Sequence, residues 1–531
     1  MSMPKVGARI QIGKDRATVM YTGTVEGTTG EWLGIEWDDP TRGKHDGLHQ
    51  GTRYFSCRHA KSGSFVRYHV QKVVTGTTFM KALKERYTTE DHFTTVKGEK
   101  YEKDKDIGEL YFGGNKQIVV ETYGFEKILR AQRGLSGLTV VGLAEQCVAW
   151  AGPPGEISEA DLAIEDLDLS RDLIADWKTV SEITSQLGSL MILRINQSRL
   201  SAPPREGLCL GNLRTLSLIQ TGTTWKEIDA LAEQLPLLQD LQLGSNGISE
   251  LGTMRGLQNL VSLNLEENHI ADWSQVATLG ALPKLEVLFL NDNELKSVEY
   301  IRDTFKHLRF LRLENNQISN MSSLDALDGY PSLTKLRCKA NPMFSGLTPE
   351  LETTQIVGRI GRLTTVNGNT VTRRERVDLE RFYLKSCTVD GVTHEAIGVL
   401  HPRYATLCQL HGEPHLGGGG KEGQPSALKN RLMTVRLTQR TGMDIEAVLQ
   451  AKHWSDLQPT RESISKRVLP TMTVRHLKNM VGRLYKMGTH KPALILLQSV
   501  QKEDIITMEM NDELRDLKFY SMEDGDEIIV I

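Results

Sequence analysis

The sequence has little cysteine, and its cysteines stand far apart. Six are spread over 531 residues, and no two of them form a C-x-x-C pair. Disulfide-rich secreted domains and thiolate zinc sites depend on closely spaced cysteines. We therefore expect reduced thiols and a cytoplasmic location.

The chain also lacks an excess of charge of either sign and a long hydrophobic run. It carries 64 Lys and Arg against 67 Asp and Glu, which excludes a general electrostatic attraction to nucleic acid. A membrane-spanning helix needs about 18 to 20 consecutive apolar residues, whereas runs such as ALILL at 493–497 are short. The amino-terminal MSMPKVG has no apolar signal core. Neither nucleic acid nor a membrane is an expected partner.

No pattern of catalytic, cofactor-binding or metal-binding residues stands out. The stretch HLGGGGKEG at 415–423 looks like a phosphate loop, but Lys421 is followed by glutamate rather than Ser or Thr. Cys408, His411 and His415 have a metal-like spacing, but a closed zinc site takes four ligands. We expect a protein that is not an enzyme and that holds no cofactor and no metal.

A leucine-rich repeat, L-x-x-L-x-L-x-x-N-x-[IL], runs from residue 167 to residue 343 with steps of 22 to 26 residues. Its turn position is occupied by Asp172, Ser198, Thr221, Asn246, Asn268, Asn293, Asn316 and Asn341. Each repeat predicts one short strand on a concave side. Apolar residues spaced by three and four predict convex helices in TTWKEIDALAEQLP at 223–236 and SVEYIRDTFKHL at 297–308.

Side chains between the buried leucines of each strand face the concave side. Phe289 and Phe310 lie in adjacent repeats with charges around them, a pattern typical of an interface anchor. Solvation alone also explains any single charged position, whereas the phenylalanine pair favours an interface. The candidate binding residues of this face are Glu266, Glu267, Phe289, Asp292, Phe310, Arg312, Lys335 and Arg337.

The first 80 residues alternate short apolar and polar runs, which predicts a small all-β module. Trp32, GKHDG at 43–47 and YFSC at 54–57 resemble the glycine-rich cytoskeleton-associated (CAP-Gly) module. The resemblance implies a groove for an acidic, aromatic-ended tail such as that of α-tubulin, with Trp32 and Phe55 as its apolar wall and Lys44 at the carboxylates. The tail-binding residues that it implies are Trp32, Gly43, Lys44, His45, Asp46, Gly47 and Phe55.

The residues themselves support such a groove. Charge-assisted hydrogen bonds to a carboxylate-rich peptide are expected from the basic residues near the aromatics. These basic residues are Arg42, Lys44, Arg53 and Arg58. His45 stands where the CAP-Gly family usually has asparagine, and an imidazole offers fewer hydrogen-bonding sites than a side-chain amide. Alternatively, the glycines serve only turns and the aromatics only a core.

The carboxy-terminal segment resembles a ubiquitin-like domain. It shows a first strand at 431–437, a helix opened by Thr473 and a last strand at 527–531, with an insertion after the first strand. The chain ends without Gly-Gly, so we expect a built-in docking domain rather than a conjugated one. A merely structural role is the alternative, because fold does not imply function.

The predicted fold class is a multidomain α+β protein with a small all-β CAP-Gly module, a leucine-rich repeat solenoid and a C-terminal ubiquitin-like β-grasp domain. The expected boundaries are 1–80 for the CAP-Gly domain, 81–115 for a charged linker, 116–385 for the repeats with flanking caps, 386–428 for a flexible linker and 429–531 for the ubiquitin-like domain.

In this order the modules resemble the tubulin-folding cofactor E family over nearly the whole chain, and GKHDG is typical of that family. The resemblance implies a cytoplasmic, cytoskeleton-associated protein that binds α-tubulin. It would act with other tubulin-folding cofactors in assembly and dissociation of the αβ-tubulin heterodimer. The alternative is a microtubule-associated scaffold that links tubulin to proteasome or ubiquitin-receptor components.

Overall fold

A computed structural model describes residues 3–88, 134–414, 416, 432–440, 444–457, 463–487, 492–501 and 504–531. The chain divides into two compact units, Met1–Asn320 with Tyr330–Met343 and Met321–Gly329 with Phe344–Ile531. Within the described ranges, no helix is long and apolar enough to cross a lipid bilayer.

The first unit opens with an antiparallel sheet in the order β6-β3-β2-β1-β7. Its strands are β1 (Arg9–Ile12), β2 (Asp15–Thr24), β3 (Glu31–Trp37), β6 (Gly63–Arg67) and β7 (Val73–Val74), beside a hairpin of β4 (Leu48–His49) and β5 (Thr52–Arg53). Alternate residues of a strand face opposite sides. Leu33, Ile35 and Trp37 therefore point together into the core, where they pack with Ile10 and Val19.

The rest of the first unit is the leucine-rich array. Its helices are α1 (Phe79–Thr88), α2 (Glu156–Glu159), α3 (Trp177–Thr184), α4 (Trp225–Ala232) and α5 (Trp273–Ala277). Its strands are β8 (Thr77–Thr78), β9 (Val140–Gly142), β10 (Val148–Trp150), β11 (Asp166–Asp168), β12 (Ile192–Arg194), β13 (Thr215–Ser217), β14 (Asp240–Gln242), β15 (Ser262–Asn264), β16 (Val287–Phe289), β17 (Phe310–Arg312) and β18 (Lys335–Arg337). The strands β9 and β11 to β18 pair in parallel, in chain order.

The turn asparagines join neighbouring repeats. The Asn268 amide group donates to the carbonyl of Leu265 in its own repeat (3.0 Å) and of Leu243 in the preceding repeat (3.1 Å). Its Oδ1 accepts a hydrogen bond from the Ile248 N–H (2.9 Å). The same arrangement recurs at Asn293, Asn316 and Asn341. These amides satisfy buried backbone groups that the strand ladder does not reach.

Of the two helices expected between repeats, one forms and one does not. The helix at 223–236 forms as α4, opened by a capping box between Thr224 and Glu227. Residues 297–308 contain no helix, because Asp303 and Phe305 take positive φ angles of 64° and 51°, which an α-helix does not admit. The Phe305 ring instead packs edge-on against Tyr330, with 5.5 Å between centroids.

The predicted linker at 81–115 is wrong for its first residues. Residues 81–88 belong to α1, which buries Phe79 and Leu83 completely. The lysines and glutamates of this stretch lie on the exposed side of an amphipathic helix. The remaining residues of that linker, 89–115, lie outside the described residues.

The second unit begins with helices and ends in a β-grasp domain. Its helices are α6 (Ser322–Asp328), α7 (Pro349–Arg359), α8 (Arg373–Ser386), α9 (His394–Leu400), α10 (Tyr404–His411), α11 (Ile445–Gln450) and α12 (Val474–Leu484). Its strands are β19 (Thr365–Val366), β20 (Asn369–Thr370), β21 (Met433–Gln439), β22 (Ile464–Val468), β23 (Leu494–Gln501), β24 (Asp504–Glu509) and β25 (Glu527–Val530).

The β-grasp sheet has the order β22-β21-β25-β23-β24 and is covered on both faces. Helix α12, capped by Thr473, packs on one face with Leu477 and Val481 fully buried. The insertion after β21 places α11 on the opposite face, where Val448 packs with Ile529. The insertion noted in the sequence therefore builds a second core.

The predicted flexible linker at 386–428 is also wrong in its first part. Residues 394–400 and 404–411 are the helices α9 and α10, and the His411 Nε2–H donates to the buried Glu380 carboxylate (2.9 Å). Residues 415 and 417–428, with the candidate metal ligand His415, lie outside the described residues.

The turn position that asparagine occupies in the later repeats is occupied in the first repeat by an acid, Asp172. The surroundings of its carboxyl group predict that the stability of the array depends on pH. Asp172 is completely buried, and its Oδ1 accepts the Val148 N–H (3.0 Å) as the asparagines do. Its Oδ2 has no hydrogen-bond partner among the described residues. Burial raises the pKa of this carboxyl well above its ordinary value.

We expect Asp172→Asn to stabilise the array at neutral pH by about 1 to 3 kcal/mol, the cost of one buried unsatisfied group. Because the folded-state pKa is raised, the stability that Asp172 contributes is complete below the unfolded pKa and is lost as the pH rises through the folded pKa. Urea unfolding at pH 4 and pH 7.5 should show a gain only at the higher pH. Asn268→Asp is the matched control, and it should lower stability at pH 7.5. An equal effect of Asp172→Asn at both pH values would contradict this account.

Candidate functional site

An aromatic cluster gathers on one face of the amino-terminal sheet. Phe65 on β6 lies at its centre, with ring centroids 5.1 Å from His45, 5.4 Å from Tyr54 and 5.5 Å from Phe55. Phe55 itself is buried and packs over Gly34 of β3, where a Cβ atom would collide with its ring. The sheet contributes the central ring of Phe65, and the loops from 43 to 55 contribute the rings of His45, Tyr54 and Phe55 around it.

Glycines hold the GKHDG loop against this cluster. The Lys44 N–H donates to the Gly63 carbonyl (2.8 Å), and the Gly63 N–H donates to the His45 carbonyl (2.7 Å). A Cβ at Gly43 would strike the backbone of residues 61–63, and one at Gly47, where φ is +97°, would strike the Phe55 carbonyl. At positions 43 and 47 the neighbouring backbone therefore lies too close for any residue with a side chain.

The His45 side chain accepts a hydrogen bond from the backbone two residues later, as an asparagine side chain can also do. Its Nδ1 accepts the Gly47 N–H (3.0 Å), so the neutral ring carries its proton on Nε2. Burial, and the neighbouring His49, lower the pKa of His45, which keeps it neutral near pH 7. The smaller number of hydrogen-bonding sites on an imidazole therefore does not prevent this turn.

The basic residues predicted around the aromatics do not all face the groove. Arg42 pairs with Asp15, and its guanidinium lies 4.1 Å from the Trp37 ring centroid. Arg53 is bonded to Asp46 (2.8 Å) and supports the loop. Lys44 is exposed and has no ion-pair partner among the described residues. Lys44 is therefore the cation of the loop that a ligand can engage.

Trp32 lies on the groove face but not against Phe55. It occupies β3 two residues before Gly34, and the Arg67 guanidinium of the neighbouring strand lies 4.9 Å from its ring centroid. Besides Tyr54 of the YFSC motif, which was not among the predicted binding residues, this face carries Tyr21 on β2, Phe65 and Arg67 on β6, and His49 on β4, which sequence reasoning missed. For Tyr21, Phe65 and Arg67 the alternation of β2 and β6 was the available signal, since residues at i and i+2 share a face.

On the concave side of the array, Phe289 and Phe310 meet. Their ring centroids are 5.5 Å apart at an interplanar angle of 75°, an edge-to-face contact. The adjacent strands β16 and β17 bring them together, because Val287 pairs with Phe310 and Phe289 with Arg312. Both rings remain partly exposed, so the predicted pair is available for contact.

Arg312 packs beside this phenylalanine pair and is itself almost completely buried. Only 7% of the residue is exposed. Its guanidinium carbon lies 5.2 Å from the Phe289 ring centroid, and its nitrogens lie 3.3 Å from Glu314 and 3.9 Å from Glu266. Arg312 is therefore a support for the surface rather than a contact residue.

The other predicted concave residues remain accessible to different degrees. Lys335 is exposed without an ion-pair partner among the described residues, and Arg337 is partly exposed, 4.0 Å from Glu314. Glu267 is exposed and accepts a hydrogen bond from Ser245 (2.6 Å), while Asp292 accepts one from Asn291 (2.8 Å). The face thus carries carboxylates on one side of the phenylalanines and the cations Lys335 and Arg337 on the other.

Comparison with known proteins agrees with this architecture. The family model of the CAP-Gly domain matches residues 6–70, and that of leucine-rich repeats matches residues 283–326. Tubulin-specific chaperone E of Bos taurus is 34% identical over 99% of this chain and 98% of that protein. Tubulin-folding cofactor E of Arabidopsis thaliana is 29% identical over 92% of this chain and 91% of that protein.

Among solved structures, the C-terminal ubiquitin-like domain of mouse tubulin-specific chaperone E is 22% identical to this chain. It covers 21% of this chain and 92% of its own, with a TM-score of 0.15. The fold and the two family matches together define a CAP-Gly protein with a leucine-rich repeat array and a ubiquitin-like end. The chain belongs to the tubulin-specific chaperone E family.

The His45 hydrogen bond predicts how the GKHDG loop responds to substitution and to pH. His45→Asn retains an acceptor for the Gly47 N–H, whereas His45→Ala removes it and should destabilise the loop by about 1 kcal/mol. Hydrogen exchange of the peptide spanning the loop should stay slow in His45→Asn and become fast in His45→Ala.

Because the folded-state pKa of His45 is lowered, its contribution is present above the unfolded pKa and is lost as the pH falls through the folded pKa. Relative to the intrinsic exchange rate at each pH, the wild-type loop should therefore lose protection in mild acid, and the loop of His45→Asn should keep it. Equal acid sensitivity in both proteins would show that the histidine does not govern this turn.

Proposed function

We propose that this chain is a tubulin-folding cofactor that binds α-tubulin and acts with other tubulin-folding cofactors in assembly and dissociation of the αβ-tubulin heterodimer. The observation that carries the proposal is that Lys44, an exposed lysine without an ion-pair partner among the described residues, adjoins His45 of the aromatic cluster around Phe65. Membership of the tubulin-specific chaperone E family over nearly its whole length supports it.

The groove has the chemistry that an acidic peptide with an aromatic end requires. Lys44 and Arg67 are exposed cations at its rim, and neither has a carboxylate partner among the described residues. Ligand carboxylates would therefore form charge-assisted hydrogen bonds without first displacing an internal acid. The terminal ring would pack on Phe65 and Tyr54, which are only partly buried.

The concave face has the chemistry of a surface that binds a folded partner. Phe289 and Phe310 form a central apolar contact, Arg312 holds them in place, and carboxylates and cations surround them. Interface energy concentrates in such packed central aromatics, while the charged rim gives orientation. We assign the tail of α-tubulin to the groove and its globular body to this face. Neither contact requires a bond to be made or broken.

The groove assignment predicts the effect of a charge reversal. Lys44→Glu should weaken binding of an acidic peptide that ends in tyrosine by roughly tenfold to a hundredfold, as expected for the loss of a charge-assisted hydrogen bond worth about 1.5 to 3 kcal/mol. Fluorescence titration of the purified variants measures this. Lys14→Glu changes the same charge in the β1–β2 turn of the same module and should have little effect. Equal binding by both variants would place the peptide elsewhere.

The function itself is tested by titrating tubulin dimers with the purified chain. The wild type should lower the amount of heterodimer, and Phe289→Ala with Phe310→Ala should reduce this effect and the binding of tail-less tubulin about tenfold or more, as for hot-spot residues. Leu237→Ala, an exposed apolar residue outside the concave strands, is the control. If the chain instead sediments with intact microtubules and leaves dimers unchanged, it is a scaffold and the proposal is wrong.

A further inference from the structure

The amino-terminal module and the array are joined by a very short connection. In the last strand of the module, β7, Val74 pairs with Gln11 of β1. In the first strand of the array, β8, Thr77 pairs with Val148 of β10. Only residues 75–76 lie between these hydrogen-bonded strands. Two residues flanked by fixed strands leave little freedom to reorient one part against the other.

The connection is also packed. The Thr77 N–H donates to the Cys147 carbonyl (2.8 Å). Gly76 has a φ of +104° and lies so close to Ala149 that a Cβ atom would collide with it. The following helix, α1, buries Phe79 and Leu83 within the array. The peptide at the joint is therefore held by contacts on both sides.

An ion-pair cluster clamps the two parts at a second point. Asp38 follows β3 of the module and accepts hydrogen bonds from the buried Arg9 of β1, one of them at 2.6 Å. Arg199 lies in the turn of an array repeat; its Nη2 donates to the Asp38 carbonyl (3.0 Å), and its Nε lies 3.4 Å from the Asp38 carboxylate. Both arginine side chains are largely removed from solvent, where such pairs are screened little by salt.

We propose that the groove and the concave face form one rigid, two-part binding surface, with the joint at 75–76 and the Asp38 clamp setting their relative orientation. This inference rests on the proposed function for its ligand. Two sites on a rigid body reinforce each other most strongly when the partner presents both of its epitopes at the matching separation. The partner that fits is therefore a folded protein whose acidic tail emerges at a set distance from the surface bound by the array.

A variant with a loosened joint tests the rigid connection while leaving each of the two binding sites intact. The variant carries a ten-residue Gly-Ser insert between Thr75 and Gly76 together with Arg199→Ala. Its control carries the same insert between Arg205 and Glu206, in an exposed array loop, with Arg199 retained. The loosened variant should bind the free tail peptide and tail-less tubulin as the wild type does, but intact tubulin about tenfold more weakly. The control should bind all three normally. Unchanged binding of intact tubulin by the loosened variant would overturn the proposal.

Rigidity is measured independently of tubulin by the distance between two spin labels. Labels carried on non-natural amino acids at positions 14 and 250, both exposed, leave the six cysteines untouched. The wild type should give one narrow distance distribution, and the loosened variant a broad one. A broad distribution in the wild type would overturn the rigid joint. If the wild type is rigid yet binds no tubulin, the proposed function fails while the joint stands.

Discussion

The structure depends on satisfying backbone groups where the chain leaves each strand of the array. At those turns the parallel ladder ends, and a buried N–H or carbonyl without a partner costs stability. One asparagine in each later repeat meets three such groups, two carbonyls and one N–H, across two repeats. The repeats are thereby stacked in register, which places Phe289 beside Phe310. Asp172 occupies the same position in the first repeat, but it has the oxygen Oδ2 where the asparagines have the donor Nδ2.

The same requirement shapes the groove. His45 satisfies the Gly47 N–H, and Arg53 braces the loop through Asp46. On the array, Arg312 braces the phenylalanines in a comparable way. A cation already paired inside the protein contributes little to a ligand, because its partner must first be displaced. By this criterion Lys44, Arg67 and Lys335 are exposed cations without a carboxylate partner among the described residues.

Much of the fold could be predicted because its signals are local. The leucine period and the GKHDG loop with its following aromatics each occupy a short window of sequence. The linkers at 81–115 and 386–428 were misassigned at 81–88 and 386–411 because charged, short helices resemble linkers until the surface that buries Phe79 or Leu407 is known. The helix expected at 297–308 fails for a related reason. Phe305 packs against Tyr330, and Asp303 and Phe305 have left-handed backbone angles. The spacing of apolar residues along the sequence does not reveal such angles.

The amino-acid sequence by itself determined the order of modules, the strand of each repeat and the residues of the glycine-rich loop, since each follows from spacing along the chain. Only the tertiary structure decided which arginines are supports, which aromatics complete the groove, and how the first module is held to the array. The physical reason is distance in sequence. The contact between Arg199 and Asp38 joins residues 161 positions apart, and such a pairing leaves no periodic trace in either segment.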